Sequence, residues 1–493
     1  MTTCLRHCGA ALIVVLAACG SGDQGTTPPP PPPSGLSLDV VGGNQQRGLT
    51  ARPLADSLTV RVHTSGTPAA GATVTWATSS GQLSASSSTT DANGLARVQW
   101  IPGTGEVAAT AAVGALPAAT FNATTRVGGS CMLKPAPAIQ RFSLGPTDYT
   151  LSLRATNALR VAVLFVDFPD AGATETPASL VNSVVTPGLQ LMSEMSYGKV
   201  RITPVAFPTW YRMPKAITTY TWTTFAGQRD YLLDVLSVTD AAIDFSTFDA
   251  LYVFTPPNGS KPISPTFNGG TTANVVADGR NFGNAVTFGI DSRQYGPAVL
   301  AHETGHMLGL VDLYAFQPSG GTFSGHTFKF VGSWTLMSNI FRPSHYLTWE
   351  KRKLGFIDES QVDCLDAPGG VEAVLTPNHA IGGRKMVIVT LDASSAIVIE
   401  ARARQGLDAN LCDEGVLVYL VDAGTAPGSG PAVVLGSRTT TTGAAFTQCG
   451  PWADGTFGVG PGAVSSWTHA ASGVSISVIG VEAGGAHRIR VKR

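Results

Sequence analysis

Charge is what this chain has least of. Lysine and arginine number 32 and aspartate and glutamate 33, so charged side chains are 13% of 493 residues and the formal net charge is −1. Near-neutrality without a basic cluster argues against nucleic acid as a partner. Beyond the N-terminus no apolar run is long enough to span a bilayer, which leaves a lipid as the expected membrane anchor. Cysteine is scarce as well. Of the seven, Cys4 and Cys8 fall in the first ten residues and Cys19 closes the first apolar run, leaving Cys131, Cys364, Cys412 and Cys449. Four cysteines allow two disulfides in three pairings, and the sequence does not choose among them. A competing use is Cys131 as a thiolate cap over a metal. The hydrophobic share, 43%, is ample for two or three cored domains.

The beginning of the chain reads as an export signal. Arg6 supplies a short positive region, and Ala10 to Ala18 is apolar but too short for a membrane span. Leu16-Ala17-Ala18-Cys19-Gly20 resembles a bacterial lipobox, which implies residues 1–19 as a lipoprotein signal with Cys19 as the lipidated residue. An ordinary secretory signal is the alternative, and both export the protein. Glycine rather than aspartate follows Cys19, which favours outer-membrane or cell-surface delivery over retention, with release from the cell as a further outcome. Residues 20–35 form a Gly/Ser/Pro linker whose run Pro28 to Pro33 favours the extended polyproline form.

Histidine is also rare, and two of the nine stand four apart in His302-Glu303-Thr304-Gly305-His306-Met307-Leu308-Gly309-Leu310-Val311-Asp312. On a helix, positions i and i+4 share a face, so both imidazoles can point at one ion. Glu303, beside the first ligand, can take a proton from water at the metal. Gly309 stands where the helix must stop, since a left-handed residue costs glycine nothing. The returning chain can then bring in Asp312. Two imidazoles and one carboxylate leave a fourth position open, the pattern of a catalytic zinc. Pro297 suits the first turn. Downstream, Met337 in Ser333-Trp334-Thr335-Leu336-Met337-Ser338 is placed as the packing floor of a Met-turn.

The rest of the chain divides by pattern. Residues 36–126 alternate in short strands such as Leu58-Thr59-Val60-Arg61-Val62, predicting an all-β sandwich. Residues 127–158 read as a connector. Residues 159–360 mix near-continuous apolar runs, such as Arg160 to Phe168 and Leu251 to Phe254, with helical periods at Pro187 to Tyr197 and Tyr231 to Ile243. That mixture predicts an α/β domain. Residues 361–493 return to short strands and predict a C-terminal β-sandwich-like domain.

Val41 to Gln46, Ala70 to Trp76 and Thr90 to Ala96 resemble bacterial immunoglobulin-like domains of the invasin and intimin type, commonly stalks or adhesive modules. From about residue 155 onward the chain resembles the immune-inhibitor-A-like zinc metallopeptidases, a metzincin-like group. The residues that carry this are Val163 to Asp170, Met195 to Lys199, the zinc helix with its extension to Tyr314, Gly332 to Ser338, Leu347 to Phe356, Ile399 to Arg402 and Gly415 to Tyr419. The resemblance implies peptide-bond hydrolysis with one zinc held by His302, His306 and Asp312, and Glu303 as general base and acid. Many relatives carry histidine where this chain has Asp312, so a carboxylate orienting a ligand histidine is the other reading of that residue. Metzincins often place a tyrosine two residues past the Met-turn methionine. Asn339 stands there, and Tyr314, Tyr346 and His345 are the candidate transition-state stabilisers. Some relatives bind calcium as well, although no EF-hand-like loop is present.

The sequence therefore predicts an exported, lipid-anchored, monomeric zinc endopeptidase acting on proteins or peptides. A surface adhesin with an inactive peptidase fold is the alternative, and a metallohydrolase acting on something other than protein is a third reading.

Overall fold

The computed structural model describes residues 35–139, 141–257 and 263–493; the expected export signal, Cys19 and the linker through Ser34 lie outside the described residues. Among the described residues no helix is long and apolar enough to cross a membrane. The chain is rich in β-structure arranged in several sheets.

Alternation builds the N-terminal unit. Leu58–Thr64 buries Leu58, Val60 and Val62, and Thr73–Thr78 buries Val74 and Trp76. Strands Leu36–Gly42, Leu58–Thr64 and Leu95–Val98 share one sheet, while Gln46–Leu49, Thr73–Thr78, Gly105–Ala112 and Ala119–Arg126 lie in a second. The two close on a core that includes Trp76, Trp100 and Phe121.

That second sheet continues into the C-terminal part of the chain. Gln46–Leu49 runs parallel to Gly370–Leu375 through the pair Gly48 and Gly370, and the sheet goes on through His487–Lys492, Ser475–Val481 and Ser466–Thr468 to nine strands. The crossing point depends on glycine. A Cβ on Gly48 would lie 2.7 Å from Leu54 Cδ2, and one on Gly370 2.8 Å from Ala55 Cβ. Arg52 Nε donates to Asp363 at 2.5 Å beside this seam, and Arg384 approaches the other Asp363 oxygen at 3.3 Å. Cys131 is disulfide-bonded to Cys364, and Cys412 to Cys449. The pairing rules out Cys131 as a thiolate cap, because its sulfur is already spent.

The middle of the chain holds a five-stranded sheet: β1 (Ala158–Asp167), β2 (Arg201–Arg212), β3 (Ala250–Phe254), β4 (Thr266–Asn268) and β5 (Asn284–Phe288), in the order β2-β1-β3-β5-β4. The first four in that order are parallel, and β4 is the antiparallel edge. Strands β3 and β5 are buried along their whole length, as strands covered on both faces are. Four helices frame the region: α1 (Thr186–Met195), α2 (Phe225–Thr239), α3 (Pro297–Met307) and α4 (Thr348–Lys353). Helix α1 lies close on α3, where a Cβ on Gly188 would sit 2.8 Å from Leu300. A second five-stranded sheet, Val362 to Val434, packs its apolar face on the C-terminal strands of the nine-stranded sheet, and α5 (Gly443–Cys449) lies beyond it.

Two segments differ from the sequence expectation. Strand β2 has no buried run to mark it, is mostly exposed and contains Pro204 and Pro208, which an edge strand tolerates. The patternless stretch 127–158 is sewn into the central region: Trp349 Nε1 donates to Leu144 O at 2.9 Å, Lys353 Nζ to Gly145 O at 2.8 Å, and Leu153 N to Met307 O at 2.9 Å.

Candidate metal centre

Helix α3 starts as its sequence suggests, with Gly296 at φ +46° and Pro297 in the first turn. Its end follows a Schellman pattern. Gly309, at φ +101°, donates its N–H to His306 O at 3.0 Å, and Leu310 N–H reaches back to Gly305 O at 2.9 Å. A Cβ on Gly309 would meet Thr147 Cγ2 at 2.6 Å, so glycine is required twice over, by conformation and by space. The reversal carries the chain back under the helix and delivers Asp312.

His302 Nδ1 lies 3.0 Å from Leu336 O, and His306 Nδ1 3.0 Å from Leu310 O. A carbonyl can only accept, so each Nδ1 carries the proton and each Nε2 presents a lone pair. Both Nε2 atoms converge on Asp312 Oδ1, at 3.1 and 3.3 Å. The three donors lie within 4.8 Å of one another. Lone pairs and an anionic oxygen converging in a buried place require a positive charge between them. Burial disfavours a charged His306, yet Asp312 and then Glu303 outweigh it and raise the imidazole to about 10, so a proton on Nε2 facing Asp312 meets the same demand for positive charge that a metal would. Against its own burial, Asp312 is held below the usual carboxylate range by His306 and His302. Two nitrogens and one carboxylate oxygen with a side open to a cleft fit a catalytic zinc.

Glu303 faces the same cleft, a cavity of about 580 Å³. Burial pushes its carboxyl above the ordinary range, against the pull of His306, His302 and a bond from Thr266. Thr266 Oγ1 lies 2.6 Å from Glu303 Oε2. The apolar part of the cleft lining comes from Leu310 and Val311 of the returning chain, Phe316 of the next loop, and Ile139 and Phe142 of the stretch read as a connector. Beneath the helix, Met337 is fully buried, and a Cβ on Gly305 would stand 3.0 Å from its sulfur. Met337 O also accepts from Leu313 N at 2.9 Å, tying this floor to the loop that carries Asp312.

The three candidate stabilisers separate. Tyr314 lines the cleft next to the Asp312 carboxylate. Burial, together with Asp312 and Glu303, raises its pKa, so the phenol keeps its proton at neutral pH. Tyr346 and His345 lie elsewhere. Tyr346 is fully buried and donates to Ala301 O at 2.8 Å, bracing the helix from below. His345 is fully buried with its Nδ1 3.1 Å from Lys351 Nζ, so neither reaches a substrate. Nearness in sequence misleads here because the chain dives under the helix at that point.

Sequence reasoning overlooked two groups. Thr266 and Asn268, on the three-residue edge strand, reach α3: Thr266 Oγ1 lies 3.0 Å from Glu303 O, and Asn268 Nδ2 donates to His306 O at 3.2 Å. No local pattern marks them. Below Met337, Arg402 NH1 donates to Trp334 O at 2.8 Å and its other nitrogens grip Asp408. Glu400 beside it accepts from Thr348 N at 2.7 Å. The signal available was a charged pair, Glu400 and Arg402, inside an otherwise apolar strand.

No family model matches the chain, and no curated protein matches it. Among solved structures, the D0-D1 domain of Intimin is 24% identical over 17% of this chain and 46% of its own length, with a TM-score of 0.14. The Yersinia pseudotuberculosis adhesin InvE is 23% identical over 19% of this chain and 32% of its own length, with a TM-score of 0.16. The chain thus spans less than half of either structure, and at such TM-scores the likeness fixes neither fold nor function.

Proposed function

We propose that this chain is an extracytoplasmic zinc-dependent endopeptidase, built on a metzincin-like α/β domain. One observation carries the reading: His302 Nε2, His306 Nε2 and Asp312 Oδ1 converge beside Glu303 at the foot of an open cleft. Zinc bound by these three residues supplies a Lewis acid that acidifies a water and polarises a carbonyl. Glu303 accepts the proton of the attacking water and passes it to the leaving amine. Tyr314, protonated and beside Asp312, is the donor within reach of the oxyanion. The outer edge of β4 is unpaired among the described residues and borders the cleft, which suits an extended peptide adding as a further strand. The apolar side chains Ile139, Phe142, Leu310, Val311 and Phe316 in the lining suit apolar side chains of such a peptide.

Residues 36–126 are read as an immunoglobulin-like spacer, and lipidation at Cys19 as the link to the cell envelope. The metal reading is tested with purified residues 20–493. Zinc content of about one per chain is expected, with casein hydrolysis abolished by a chelator and restored by zinc. Bound zinc without hydrolysis points to another substrate, and absence of zinc binding sinks the ligand assignment.

Tyr314→Phe is expected to keep its zinc and lower kcat by about 10- to 100-fold, since one donor to a developing oxyanion is removed. Unchanged kcat would leave the oxyanion to other groups.

A further inference from the structure

The contact between edge strand and helix carries an inference beyond the metal ligands, resting on the reading of Glu303 as the proton-transfer group. A carboxylate on a helix has several rotamers, and proton transfer needs one of them. Glu303 lies at the cleft, and among the described residues Thr266 is the one side chain that donates to it. The Thr266 hydroxyl stands 2.6 Å from Oε2 and 3.0 Å from the backbone oxygen of the same residue.

Thr266 itself is fixed from several sides. It pairs with Val286 in the sheet. Two residues earlier, Ser264 Oγ donates to Asp291 at 2.7 Å and Ser264 N to the same carboxylate at 3.1 Å. Phe267, the next residue, is buried and stacks on Phe225 with ring centroids 4.8 Å apart. Asn268, on the same face of the strand as Thr266, holds the helix one turn further on, at His306 O. The β-branch at Thr266 restricts its own rotamer. A stiff hydroxyl on a fixed strand therefore meets a carboxylate whose rotamer it can select.

We propose that Thr266 is a positioning residue for Glu303, holding Oε2 against the edge strand so that Oε1 is the oxygen that exchanges protons in the cleft. A hydroxyl both donates and accepts, so the contact survives when Glu303 carries the water's proton. The strand expected to hold the substrate is thereby the strand that aims the base.

Thr266→Val keeps the side-chain shape and removes the hydroxyl; Thr266→Ser keeps the hydroxyl. With wild type and Glu303→Ala alongside, Thr266→Val is expected to lower kcat about 10-fold or more while KM stays within about threefold and zinc content is unchanged. Thr266→Ser is expected to recover most of that loss. A thermal-unfolding cycle needs no turnover: Thr266→Val is expected to lower the midpoint by a few degrees with Glu303 present, and by clearly less in the Glu303→Ala background. Unchanged kcat in Thr266→Val overturns the proposal, as does a midpoint cost that is the same in both backgrounds. A Thr266→Ser variant as slow as Thr266→Val also overturns it, since the residue then merely packs. If Glu303→Ala keeps the wild-type rate, the reading of Glu303 falls instead, and it falls whatever Thr266→Val does.

Discussion

Glu303→Gln is expected to lower the rate of peptide hydrolysis by about 10²- to 10⁴-fold, the span of general acid–base catalysis. Zinc content should not change. The amide has the carboxylate's shape but cannot take a proton from water. It leaves the bonds that orient the ligands untouched, since these run from His302 Nδ1 to Leu336 O and from His306 Nδ1 to Leu310 O. The unfolding midpoint should hold or rise, because burial already disfavours the ionised form of Glu303. Zinc per chain, kcat/KM on a peptide and a melting curve form a complete check. A variant that keeps more than about a tenth of the wild-type rate would remove Glu303 from the proton-transfer role.

The second large effect lies under the candidate metal centre. Glu400→Ala is expected to destabilise the fold by about 3–5 kcal/mol, the usual cost of removing one partner from a buried charged network. Glu400, Arg402 and Asp408 are all fully buried. Glu400 accepts from Thr348 N at 2.7 Å, Tyr419 Oη at 2.9 Å, Asn378 Nδ2 at 3.1 Å and Arg402 NH1 at 3.1 Å. Alanine strands each of these donors and leaves Arg402 with one carboxylate where it had two. The damage should spread upward, because Arg402 holds Trp334 O and Asn378 Nδ2 holds Tyr346 O, both within the support of Met337 and α3. Glu400→Gln, which keeps an acceptor, should cost markedly less. Denaturant unfolding of the two variants measures the difference, and equal losses would mean that packing rather than charge sets the stability there.

What the sequence disclosed, and what it hid, follows the reach of each signal. The α3 motif was legible because helix period, Gly309 and Asp312 all act within eleven residues. Strands β1 and β3 were legible as continuous apolar runs, since both their faces are covered. Thr266 was not, because β4 has three residues and meets Glu303 across 37 positions of chain. Ile139 and Phe142 sit in a stretch without period, shaped by long-range bonds such as Trp349 to Leu144. The joining of the first and last sheets was equally hidden, because it turns on one close approach of two glycines, Gly48 and Gly370.

That seam has a mechanical meaning. Arg52 with Asp363, Lys492 with Asp56 at 2.7 Å, Glu372 N with Pro53 O at 3.0 Å and the Cys131–Cys364 bridge all cross or flank it. A load on Gln46–Leu49 passes along the shared nine-stranded sheet into the C-terminal strands, and the first sheet joins that path through the core it shares with the nine-stranded sheet. The N-terminal sandwich therefore acts as a lever fixed to the body that carries the cleft.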